Sequence, residues 1–63
     1  MKNLTNLAVS VLHSHATLME ELYGKVGHQE LKAEARNLVD MGVPEDVVGK
    51  ALFRVENLHD ITV

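Results

Sequence analysis

The chain has 63 residues, a formal charge of −3, no Cys and no Trp. That length admits one domain, residues 1–63, and the missing thiols exclude a disulfide framework and a thiolate metal site. At 46% apolar residues the chain is too hydrophobic for a disordered segment, and its acidic balance gives no electrostatic footprint for nucleic acid or anionic membrane.

Apolar residues in the first third fall at Leu4, Leu7, Ala8, Val11, Leu12, Leu18, Met19 and Leu22. Intervals of three and four predict one helix from Leu4 to Tyr23. Asn3 or Thr5 can cap its start, and Gly24 is a natural left-handed stop. Within it, Leu4, Ala8, Val11, His15, Leu18 and Leu22 alternate four and three, the heptad spacing of a face meant for another helix. Leu7 to Leu12 also alternates as a short strand would, with Val9 and Val11 β-branched. The pattern continuing to Leu22 favours helix.

Gly24 to His28 reads as a connector. A second helix is expected from about Gln29 to Met41, with Leu31, Ala35, Leu38 and Val39 inward and Gly42 as its stop. Val43 precedes proline and is pushed out of helical conformation. Pro44 suits the first position of a third helix, whose first turn holds Glu45 and Asp46 at the end where the helix dipole favours negative charge. Val47, Val48, Ala51, Leu52, Val55 and Leu58 form its stripe, and Gly49 weakens it by about 1 kcal/mol relative to Ala. The tail ends in Ile-Thr-Val, so Leu58–Val63 is the first candidate for a strand and Leu7–Leu12 the second.

Size argues for a partner chain. Folding a chain of this mass hides about 6,000 Å² and leaves roughly 4,000 Å² exposed. Burial then contributes on the order of 90 kcal/mol, and ordering the chain costs about the same. Small chains so balanced usually add a disulfide, a metal or a second copy. The fold expected is mainly α, two to three short amphipathic helices with one short strand or none, forming an intertwined homodimer.

The candidate chemistry is thin. His13 and His15 are two apart, which points them roughly 200° away from each other on a helix, so they do not ligate one ion together. His28 falls in the connector and His59 in the tail, and no His-x-x-x-His pair supports them. They read as surface or seam histidines, with no metal and no cofactor expected. His15 interrupts the heptad seam, where a charge would oppose burial and make pairing pH-dependent. The carboxylates, Glu20 and Glu56 among them, read as solvated helix faces. No Gly-x-Ser-x-Gly, P-loop or Gly-x-Gly-x-x-Gly occurs, and the expectation is a protein that is not an enzyme, with no catalytic residue. Lys32-Arg36-Asp40 and Asp46-Lys50-Arg54 read as charge ladders on helix surfaces. Apolar runs never exceed four residues, so nothing spans a bilayer. Asn3, Thr5, Asn6, Ser10 and His13 interrupt any signal-peptide core.

The stretch Asn37 to Leu52 resembles a helix-turn-helix, with Gly42 in the turn, although Pro44, Glu45 and Asp46 stand where base and phosphate contacts are usually made. It is also similar to a ubiquitin-associated domain, whose first helix ends in a Met-Gly turn. A helix pair with a glycine stop accounts for both. End to end, the 63 residues, the opening Met-Lys-Asn-Leu-Thr-Asn-Leu-Ala-Val-Ser-Val-Leu-His-Ser-His and the Leu-Val-Asp-Met-Gly-Val-Pro-Glu-Asp segment resemble the small early proteins of lambdoid temperate phages encoded between the exonuclease and excisionase genes. The resemblance implies expression in the cytoplasm of an infected bacterium, a role favouring lytic over lysogenic development, and a compact dimer of helices with one short strand. It carries over no functional residue. The function expected is a non-enzymatic regulator whose helical dimer binds a host or phage protein through an apolar groove. Leu18, Met19, Leu22, Tyr23, Val47, Leu52 and Phe53 are the candidate partner-binding residues. The alternative is a helix-turn-helix-like DNA-binding regulator acting through Lys32, Arg36, Lys50 and Arg54.

Overall fold

The computed structural model describes residues 4–59 and 61, which form three helices in the order α1 (Leu4–Tyr23), α2 (His28–Asp40) and α3 (Glu45–Leu58). Each amphipathic sequence buries one row of small or branched side chains. These rows are Ala8, Leu12 and Ala16 on α1, Leu31, Ala35 and Leu38 on α2, and Val48, Ala51 and Val55 on α3. With Val26 from the first connector they make a single core cluster. Its largest fully buried side chains among the described residues are Leu12, Leu31 and Val55. α1 packs chiefly against α3, and α2 lies against both. The short connectors run the helices up, down and up in a body of 35 × 19 × 19 Å.

The helix ends follow the chain's punctuation. Gly24 and Gly42 adopt φ of +82° and +107°, conformations that a Cβ makes costly. After α2, Gly42 N–H bonds Val39 O and Val43 N–H bonds Leu38 O, both at 3.0 Å, which is a Schellman closure. Val43 packs on the core beside it. At the start of α2, the Glu30 carboxylate turns back to accept the Gly27 N–H at 2.8 Å, satisfying a donor near the helix terminus. That reach makes Gly27 the N-cap and draws His28 into the helix as its first residue, where a connector was expected. Pro44 likewise sits one place earlier than expected. Its ψ of 143° is extended, so it is the N-cap and its carbonyl accepts Val48 N–H at 3.1 Å.

The strand expectations are corrected. Leu7–Leu12 lies wholly inside α1, because the three-and-four spacing continues for five turns and overrides two β-branched valines. Leu58 is the last residue of α3. Ile61 N–H bonds back to Glu56 O at 2.9 Å, and its side chain packs on the core, so it wraps the helix end rather than extending away. No strand occurs among the described residues. Asn3, Asp60, Thr62 and Val63, and with them the rest of the expected tail strand and one expected cap, lie outside the described residues. No helix is long and apolar enough to cross a membrane among the described residues.

Two glycines should respond oppositely to one substitution. A Cβ on Gly49 meets nothing within 4 Å in an ordinary helical conformation, so Gly49→Ala should stabilise the fold by about 1 kcal/mol. Gly42→Ala places a Cβ in the left-handed region and should cost about 1–2 kcal/mol. Urea denaturation of the two variants checks both signs.

Candidate functional site

α1 carries two apolar faces. At 100° per residue, Leu4, Leu7, Val11, Leu18 and Leu22 fall within an arc of about 60°, centred about 100° from the buried Ala8–Leu12–Ala16 row. The four leucines of this second stripe are 43% to 61% exposed. Val11 is partly buried against the core and His15 is half-buried at the stripe's edge. The heptad seam expected from the sequence is therefore divided. Ala8 turns into the chain's own core, while Leu4, Leu18 and Leu22 remain uncovered by it.

The seven candidate partner-binding residues do not form one surface. Leu18 and Leu22 belong to the uncovered stripe, with Tyr23 70% exposed at the end of α1. Met19, Val47 and Leu52 pack against the core and serve the fold first. Phe53 is 67% exposed on the outer face of α3, one turn from Gly49, whose backbone is bare. The chain exposes 4495 Å² in total, against roughly 4,000 Å² for a compact monomer of its mass.

Lys32 and Arg36 line two shallow depressions, one along α2 and one between α2 and α3 that is bordered by Glu45, Val48 and Gly49. Neither expected charge ladder closes an ion pair among the described residues, where the ion pairs involve histidines and glutamates.

Those pairs form a polar clasp at one end of the bundle, and the sequence reading missed it. His59, expected in a free tail, is the C-cap of α3, and its side chain is only 8% exposed. Its Nδ1 lies 3.0 Å from Glu20 Oε2, and its Nε2 lies 2.8 Å from His13 Nδ1. The tautomer that satisfies all three groups has His59 Nδ1–H donating to the carboxylate and His13 Nδ1–H donating to His59 Nε2. The two rings are 4.7 Å apart and tilted by 43°. Beside them, the His28 imidazole at the start of α2 pairs with the Glu56 carboxylate of α3, and these atoms have no other partner among the described residues. Glu20 and Glu56 are thus tied to histidines and are not the solvated carboxylates expected. One signal was available: His13 and Glu20 are seven apart, two turns along one face of α1. What they face became visible only once α3 was placed.

No protein-family model, curated protein or solved structure matches the chain.

The His28–Glu56 pair yields a stability prediction. Glu56→Ala removes the carboxylate and leaves the His28 ring without its partner at a site where both side chains are mostly covered. A loss of about 1–2 kcal/mol is expected, against less than about 0.5 kcal/mol for Glu21→Ala on the exposed face. Chemical denaturation of both variants, with a His28→Ala double-mutant cycle, measures the pair.

Proposed function

We propose that this chain is a non-enzymatic early regulatory protein of a temperate phage. It acts in the host bacterial cytoplasm and promotes lytic development by binding a host or phage protein through the apolar surface of a homodimer. The observation that carries the dimer is the uncovered stripe on α1, a helix face of four exposed leucines, Leu4, Leu7, Leu18 and Leu22, that the chain's own core does not use. Its spacing is close to symmetric about the helix centre, so that an antiparallel second copy sets Leu4 opposite Leu22 and Leu7 opposite Leu18. Self-complementarity of that kind is what a two-fold interface requires.

Charge favours the same arrangement. α1 has no basic residue in its last turn, and Glu21 stands at the negative end of its dipole. An antiparallel partner brings the positive end of its own α1 to it. A pair built on this stripe, rather than by exchange of helices, leaves Tyr23 and Phe53 as exposed apolar anchors for the regulated protein.

The test is a double substitution, Leu18→Glu with Leu22→Glu, read by sedimentation and circular dichroism. Both side chains are exposed in the single chain, so helicity should persist. Dimer affinity should fall by at least about 3 kcal/mol, more than a hundredfold in Kd. A dimer of wild-type strength in this variant overturns the stripe as its interface, and a wild-type chain that is monomeric and fully folded at micromolar concentration overturns the dimer itself. Recovery of a phage or host protein on the tagged wild-type chain from infected cells, resistant to nuclease and little changed by salt, is expected. Recovery of DNA alone, with affinity falling steeply as salt rises, would establish the DNA-binding alternative instead.

A further inference from the structure

His13 and His59 lie on the side of α1 nearly opposite the apolar stripe, so what they do is independent of any pairing there. Their ring nitrogens face each other at 2.8 Å across 46 positions of sequence. Two imidazole lone pairs aimed at one point repel unless something electrophilic lies between them. A proton meets that need, and so does a metal ion. We propose that His13 Nδ1 and His59 Nε2 form a two-imidazole site for a divalent transition-metal ion of the zinc class.

Imidazole nitrogen suits zinc and its neighbours rather than magnesium or calcium. The second nitrogen of His59 is already held by Glu20 at 3.0 Å. A carboxylate on the far side of a ligating histidine fixes its tautomer and raises its basicity. Glu20 is therefore a positioning residue. The burial of the His59 ring keeps it from turning away. Two nitrogens bound to a tetrahedral ion stand about 3.3 Å apart, so the rings must open by about half an ångström. His13 is exposed, so its ring has room on the solvent side to move by that amount.

Among the described residues no three His, Asp or Glu groups converge as ligands. The remaining coordination positions therefore go to water, and the ion exchanges freely. Its binding replaces the hydrogen that joins the rings. The His13 proton moves to the exposed Nε2 through solvent, both imidazoles stay neutral, and α1 is clipped to the end of α3.

Zinc chloride titrated into the untagged full chain, followed by the histidine ring 15N resonances, tests the site. Saturable one-to-one binding is expected, with metal at Nδ1 of His13 and Nε2 of His59, reversed by chelator. His13→Ala, which removes an exposed ring and should leave the circular dichroism unchanged, should abolish it. Glu20→Gln should weaken it by about tenfold or more, and His15→Ala should leave it intact. Undiminished binding in His13→Ala, or His59 resonances that do not respond to zinc, would overturn the proposal.

Discussion

The approach of α1 to α3 is the contact on which the rest of the molecule depends. Ala8, Ala16 and Ala51 put nothing larger than a methyl group into the common core, so the two helices come close, and Leu12 and Val55 fill what space remains. α2 then closes over them with Leu31, Ala35 and Leu38. A core of this kind is shallow. Each helix has more apolar side chains than the interior can receive, and the longest helix has the largest surplus.

That surplus gives α1 its two faces. The Ala8–Leu12–Ala16 row is narrow because the partner helices are short and the side chains small, and it occupies less than half the circumference of α1. Leucines at Leu4, Leu7, Leu18 and Leu22 are left to one side, where neither α2 nor α3 covers them. The same packing fixes the polar clasp. Once α3 lies along α1, its C-cap residue His59 reaches the level between His13 and Glu20, and Glu56, three residues earlier, meets the first residue of α2. Hydrophobic packing positions the clasp, and the clasp closes the end of the bundle where all three helices meet.

α3 leaves Phe53 and Leu58 exposed, and Met41 is exposed at the end of α2. Phe53 projects from α3 next to Gly49, where the absence of a side chain leaves backbone open to solvent. A helix interior glycine with nothing to accommodate within the chain costs stability.

Much of this was legible before any coordinates. Three-and-four spacing located all three helices, and Gly24, Gly42 and Pro44 marked their ends to within a residue, because backbone punctuation and amphipathic period are local properties of a chain. At Leu7–Leu12, the second candidate for a strand, the longer helical period that the sequence favoured prevailed over the local alternation. The tail reading failed at Ile61, which the backbone turns back onto the core. Which of α1's leucines face inward was not readable, since two stripes about 100° apart look like one broad apolar face until a neighbour selects between them. Nor was the meeting of His13, Glu20 and His59, because their separation in sequence is closed only by the packing of α3 on α1. The sequence by itself determined the helices and their stops through local conformational preference. Tertiary structure alone decided which faces are covered and which distant side chains touch, because those follow from the relative placement of whole helices, and no local pattern encodes it.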